Sequence, residues 1–181
     1  MTPFEPLPDL PDDLESTLIS DASRARPDRL IERLAQLGWT LGVAESLTGG
    51  LVIAGLVAVP GASAVVRGGI VAYATDLKSS LLGVDATLLA AHGPVHPRVA
   101  SQMAEGVRRA VGAGGVPADV GIATTGIAGP LSPDGQPVGT VHLAVATPLG
   151  NRVESLLLTG DRETIRADAT ARALRLALDA L

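Results

Sequence analysis

The sequence predicts an α/β protein, a three-layer α/β/α sandwich around a mixed, mainly parallel sheet. Three observations carry this expectation. Short apolar runs alternate with segments of helical periodicity through most of the 181 residues. Two of those runs pass directly into turns rich in glycine and hydroxyl groups, the arrangement that places a site at the carboxyl end of a parallel strand. Late in the chain, two alternating runs flank Pro148-Leu149-Gly150-Asn151, a hairpin signal that makes part of the sheet antiparallel.

In chain order, residues 1–11 (MTPFEPLPDLP) hold four prolines and read as a flexible acidic leader, with 12–181 as a single domain. Helical patterns cover Asp12 to Ser23 and Pro27 to Leu37; in the second, Leu30, Ile31, Leu34 and Leu37 share a face, Pro27 suits a first turn and Gly38 a stop. Trp39 to Ala44 is the first strand, and Leu51 to Val59 the helix after its turn. Gly68 to Ala74 is a second strand, followed by helices at Thr75 to Leu82, Asp85 to Ala91 and Pro97 to Val111. Val120 to Ala123 begins a third strand that enters the turn Thr124-Thr125-Gly126, and Leu131 to Pro137 is a loop by composition. Val138 to Ala146 and Arg152 to Leu158 are strands, and Asp161 to Leu181 is a closing helix.

Composition narrows the chemistry. The net charge of −5 comes from residues 1 to 28, which hold seven acids and two bases; the remainder is balanced, with no basic run to track phosphates, so nucleic acid is not an expected partner. With only one Trp, one Tyr and one Phe, base stacking on aromatic platforms has no material. The absence of cysteine removes disulfides, thiolate metal sites and a thiol nucleophile. His92, His96 and His142 lack the spacing of a catalytic zinc site, so no metal is expected, and the histidines read as helix-end and strand residues. No apolar run reaches about 18 residues, so no membrane partner is expected and the localisation read is cytoplasmic.

Several residues stand out as candidates. The chain has one lysine, Lys78, and one tyrosine, Tyr73, only five positions apart. The plain reading is a leftover surface lysine beside a half-buried strand tyrosine. Ser46 lies at the first strand-to-helix turn (Glu45-Ser46-Leu47-Thr48-Gly49-Gly50), where a serine is most often an N-cap. The same geometry offers helix-start N–H groups, near Thr48, Gly49 and Gly50, to an oxyanion or a phosphate. Glu45 is either solvated or orients a partner. Thr125 and Gly126 fit a close approach of backbone to ligand, or simply a tight turn. In Gly160-Asp161-Arg162, Asp161 caps the last helix and Arg162 is either solvated or a ligand for carboxylate or phosphate.

Taken together, AESLTGG (44–50), VPGAS (59–63), GGIVAYATDLKSSLLGV (68–84), AHGPV (91–95), TGIAGP (125–130), PVGTVHLAV (137–145) and GDRETIR (160–166) resemble, in order, the motifs of the CinA C-terminal domain family. That family includes nicotinamide-nucleotide amidohydrolases. The resemblance covers about Asp28 to Leu181 and does not extend to the separate N-terminal domain of longer members. It implies hydrolysis of the carboxamide of nicotinamide mononucleotide to nicotinic acid mononucleotide and ammonia, in pyridine nucleotide salvage, by a serine amidase without metal or other cofactor. By motif position it makes Ser46 the nucleophile and Tyr73 and Lys78 its activating pair. Glu45, Thr48, Gly49, Gly50, Thr125, Gly126 and Arg162 fall to substrate binding. The chain departs from the family in having Leu47 where cysteine is common, in His96, Pro97 and Arg98 after the histidine-glycine turn, and in a shorter loop after Gly129-Pro130.

A lysine base must be neutral, and an unperturbed lysine is neutral in only about one molecule in a thousand near pH 7.4, so Lys78 is expected to be depressed by burial or by a guanidinium of Arg67 or Arg162. Two alternatives use the same residues: a non-catalytic nucleotide- or phosphate-binding module in which Lys78 stays charged and Ser46 is only a cap, and an amidase for another small amide. The expected partners are a small nucleotide substrate and, from the resemblance and the apolar composition, further copies of the chain in a homo-oligomer.

Overall fold

A computed structural model describes residues 27–132 and 135–181. The expected leader and the helix proposed for Asp12 to Ser23 lie outside the described residues, as do Pro133 and Asp134 of the loop.

The chain begins with α1 (Pro27–Leu37), whose Leu30, Ile31 and Leu34 face inward and whose end is closed by the Trp39 N–H bonding back to the Leu34 carbonyl at 2.9 Å. The sheet comprises β1 (Leu41–Glu45), β2 (Val66–Val71), β3 (Val120–Gly126), β4 (Thr140–Thr147) and β5 (Gly150–Leu157), in the order β2-β1-β3-β4-β5. β2, β1 and β3 pair in parallel, while β3 with β4 and β4 with β5 pair antiparallel, so only β4 opposes the common strand direction. The predicted mixed α/β sheet is therefore present. The helices are α2 (Leu51–Val57), α3 (Thr75–Leu82), α4 (Ala86–His92), α5 (Pro97–Ala110) and α6 (Arg162–Asp179). A 3-10 turn at Ala62–Ala64, not foreseen from the sequence, follows α2.

The two faces of the sheet bury different chemistry. On one, Leu41, Val43, Ile122, Val141, Leu143 and Val145 pack against α1, α2 and α6. On the other, small residues (Ala44, Ala123, Ala144, Ala146) lie against α5 with Met103 and Val107. This second face is flat enough for α5 to approach closely, and a Cβ on Gly121 would collide with the Ala104 carbonyl. A chain nearly without aromatics thus fills one layer with leucine, valine and isoleucine and closes the other by bringing backbones together.

Several boundaries differ from expectation by a few residues, and two of the differences bear on the site. β2 ends at Val71 instead of Ala74, because β1, its neighbour among the described residues, stops at Glu45 and the last ladder bond is Ala72 N–H to the Glu45 carbonyl at 2.8 Å. Thr124, Thr125 and Gly126 are not a turn but the last residues of β3, held in the sheet by antiparallel pairing with Leu143, His142 and Val141. Local composition suggested a turn; the partner strand, about twenty residues later, decided otherwise.

The topology fixes where a site can lie. From β1 the chain leaves through α2 to β2 on one side, then crosses through α3, α4 and α5 to β3 on the other side of β1. The carboxyl end of β1 is a switch point of this kind of sheet, flanked by the carboxyl ends of β2 and β3.

Candidate active site

Ser46 is the first residue beyond β1, and its N–H donates to the Thr124 carbonyl at 3.0 Å, which ties it to the neighbouring strand. Lys78, in the first turns of α3, reaches back under the end of β2. Its Nζ lies 3.2 Å from Ser46 Oγ, 2.7 Å from the Ala72 carbonyl and 3.5 Å from the Tyr73 carbonyl. Lys78 is only 1% exposed and Ser46 8%. Loss of hydration lowers the Lys78 pKa to about 8; of the two causes expected, burial acts and a guanidinium of Arg67 or Arg162 does not.

The start of α2 disposes of the plain reading of Ser46 as an N-cap. The N-cap of α2 is Gly50, which takes the left-handed conformation with φ 103° and offers no side-chain cap. The amides at the helix start are instead satisfied by Glu45, whose carboxylate accepts from the N–H groups of Gly50 (2.9 Å), Val52 (3.1 Å) and Ile53 (2.9 Å). A carboxylate at a helix N-terminus also complements the helix dipole. Glu45 is thus neither solvated nor exposed to a ligand; it is 1% exposed and holds the turn that carries Ser46.

Other sequence candidates are corrected in the same way. The Gly49 N–H donates to the Ser46 carbonyl at 3.1 Å and the Gly50 N–H to Glu45, so neither amide is available to an oxyanion or phosphate. Thr48 is fully buried, its hydroxyl 2.8 Å from that of Thr124. The Thr125 hydroxyl donates to the Pro94 carbonyl at 2.8 Å and anchors the connection between α4 and α5. Gly126 lies in β3 where a Cβ would press on the Thr140 carbonyl at 2.6 Å, which explains the glycine by packing.

Tyr73 is at the site, but its hydroxyl does not meet Lys78. The side chain is 60% exposed, and its hydroxyl takes a hydrogen bond from Arg162 Nη2 at 3.2 Å, while Arg162 Nη1 donates to the Gly129 carbonyl at 2.7 Å. Asp161 caps α6 as expected, accepting from the Thr164 N–H at 2.8 Å. The structure therefore brings Ser46 and Lys78 into contact and sets Tyr73 with Arg162 at the rim. One turn further along α6, Arg166, not singled out from the sequence, donates from Nε to the Leu47 carbonyl and from Nη2 to the Thr48 carbonyl, both at 3.0 Å. The available signal was its spacing: Arg162 and Arg166 are four apart on a helix and share a face.

The histidines stand apart from this constellation. His142 Nδ1 is 2.9 Å from the Ser155 hydroxyl, His96 Nδ1 accepts from the Arg98 N–H at the start of α5, and the His92 and His96 rings stack at 4.7 Å. Among the described residues no group of three His, Cys, Asp or Glu side chains converges as a metal site.

Residues 24–181 match the family model of the CinA C-terminal domain. The chain belongs to this family. It is 52% identical over 143 residues to a CinA-like protein of Frankia casuarinae, covering 79% of this chain and 32% of that protein. It is 42% identical over 158 residues to a putative competence-damage inducible protein of Desulforamulus reducens, covering 84% and 37%. Thus the chain spans about a third of the length of the curated relatives it matches. Among solved structures, the competence/damage inducible protein CihA from Agrobacterium tumefaciens superposes with a TM-score of 0.80 at 34% identity, covering 90% of this chain and 98% of that one. A competence damage-inducible protein A from Klebsiella pneumoniae gives 0.78 at 33%, covering 84% and 92%. The α/β architecture is that of the CinA structures, which is consistent with an enzyme.

Proposed function

We propose that this CinA-family domain is a nicotinamide-nucleotide amidohydrolase that converts nicotinamide mononucleotide to nicotinic acid mononucleotide and ammonia, as part of pyridine nucleotide salvage. The observation that carries the reading is the buried Lys78 Nζ at 3.2 Å from Ser46 Oγ, with the Ala72 and Tyr73 carbonyls on its other side. A neutral amine has two N–H bonds and one lone pair. The two carbonyls accept the N–H groups, which turns the lone pair to the serine hydroxyl.

Ser46 Oγ then attacks the carboxamide carbon while its proton passes to Lys78 Nζ, and the carbonyl electron pair moves to oxygen. Collapse of this intermediate breaks the C–N bond, Lys78 returns the proton to the leaving nitrogen, and ammonia departs. Water, deprotonated by Lys78, hydrolyses the seryl ester and restores Ser46. At a pKa of about 8, about a fifth of the lysine is neutral at pH 7.4, against about one part in a thousand for an unperturbed side chain. Arg162 and the Tyr73 hydroxyl lie at the rim, where a guanidinium suits the nucleotide phosphate.

Ammonia release from nicotinamide mononucleotide, nicotinamide and a panel of unrelated amides tests the reading. We expect the nucleotide to be preferred and Ser46→Ala to lower turnover on the order of 10³-fold or more. Near wild-type turnover in Ser46→Ala would falsify the covalent route, and preference for another amide would redirect the substrate. A pure phosphate-binding role fits poorly with a lysine enclosed among neutral groups and depressed in pKa.

A further inference from the structure

A serine amidase needs a donor for the carbonyl oxygen as it becomes anionic. Of the amides expected to serve, those near Thr48, Gly49 and Gly50, the Gly49 and Gly50 N–H groups are engaged within the turn, and the Val52 and Ile53 N–H groups of α2 are held by Glu45. Among the described residues, the N–H groups of Leu47 and Thr48 meet no acceptor. Thr48 is fully enclosed, whereas Leu47 keeps 4% exposure and directly follows the nucleophile, which makes its N–H the candidate donor. Buried N–H groups without an acceptor are seldom retained without a use.

What holds that N–H in place is visible in the neighbouring peptide planes. The Ser46 carbonyl, which shares a rigid plane with the Leu47 N–H, accepts from the Gly49 N–H. The Leu47 carbonyl, on the following plane, is gripped by Arg166 Nε, and the Thr48 carbonyl by Arg166 Nη2. Leu47 is therefore pinned on both sides, once by the turn and once by a side chain from α6, 119 residues away in sequence. Two adjacent donors of a planar guanidinium are suited to two successive carbonyls, which a lysine ammonium does not reproduce. Gly49 keeps the approach open: it sits at φ +61°, and a Cβ there would lie 3.3 Å from Arg166 Nη2.

We infer that Arg166 is a positioning residue for the reaction, clamping the Leu47 and Thr48 carbonyls so that the Leu47 N–H is held as the donor to the developing oxyanion. This inference rests on the proposed role of Ser46 as nucleophile. Arg166 itself touches neither Ser46 nor Lys78; it acts through the turn.

The test compares wild type, Arg166→Lys and Arg166→Met by two readouts: ammonia release from nicotinamide mononucleotide, and the rate at which an alkyl fluorophosphonate labels Ser46, followed by mass spectrometry. In labelling, Ser46 Oγ forms a bond to phosphorus, fluoride leaves, the proton passes to Lys78, and the phosphoryl oxygen occupies the position of the oxyanion. In both variants we expect kcat to fall about 10- to 100-fold with KM within about threefold, a parallel fall in labelling rate, and an unchanged pH midpoint, because the Lys78 surroundings are intact. Arg166→Lys keeps the positive charge, so its loss of rate reports the two-point clamp, and it decides the matter should Arg166→Met fail to fold. Labelling and kcat within threefold of wild type, or a loss confined to KM, would overturn the inference. If wild type labels at Ser46 but releases no ammonia from this nucleotide, the substrate reading fails while the labelling comparison still decides the role of Arg166. If wild-type Ser46 does not label, the inference falls with the nucleophile.

Discussion

An ammonium enclosed at 1% exposure gives up hydration that its carbonyl neighbours only partly replace, which is why the Lys78 pKa falls to about 8. Two expected outcomes follow from that residue. If neutral Lys78 is the base, kcat/KM rises with pH through about 8 and levels above it, and Lys78→Arg is inactive at every pH, since a guanidinium does not release its proton; a pH–rate profile of both proteins checks this. The same shift is a stability statement. Between about 8 and the ordinary 10.5 the unfolded chain binds more protons than the folded one, so stability rises with pH across that window and is lost as pH falls through 8. Across the whole window the gain is on the order of 3 kcal/mol. Denaturant unfolding of wild type relative to Lys78→Met should therefore show wild type gaining on the variant from pH 7.5 to 10. Ser46 behaves differently: its hydroxyl caps nothing, so Ser46→Ala should change stability by less than about 0.5 kcal/mol while removing activity, measurable by the same unfolding curves.

At the scale of elements, the turn between β1 and α2 depends on one carboxylate. Glu45 gathers three amides from up to eight residues ahead, so Glu45→Gln, in which one end of the side chain is no longer an acceptor, should destabilise by about 1–3 kcal/mol and slow turnover by loosening the Ser46 turn. Unchanged urea midpoints would mean that the helix start finds another acceptor. Sequence periodicity predicted every one of these helices from α1 to α6 within a few residues, because each carries an apolar face or clear end signals. It failed at Thr124-Thr125-Gly126, where hydroxyls and glycine read as a turn until β4 supplied a partner. It also failed to separate a serine that caps from a serine that is merely near a helix start, since the capping atoms belong to the residue before it.

For the molecule as a whole, β2 and β5 are the outer strands of the sheet among the described residues, and apolar side chains stay exposed on or near each: Val71 and Tyr73 at the end of β2, Val153 and Leu157 on β5. We expect self-association into a homo-oligomer, and light scattering that returns a monomer mass at micromolar concentration would refute it. Among the described residues no helix is long and apolar enough to cross a membrane. The sequence by itself determined the α/β class, the order of elements, the family and the conspicuous Ser46, Tyr73 and Lys78, because strand and helix periodicity and short motifs are local properties of the chain. Only the tertiary structure decided which of these meet. Ser46 and Lys78 are 32 residues apart and touch because β1 and β2 are neighbours in parallel and α3 turns back beneath their ends. Tyr73, five residues from Lys78, directs its hydroxyl to Arg162 instead, 89 residues away. Arg166 acquired its role from the docking of α6 on the Ser46 turn, a contact between segments whose separation leaves no periodicity to read. Hydrogen-bond partners and burial are set by which surfaces pack together, and that is a property of the whole fold.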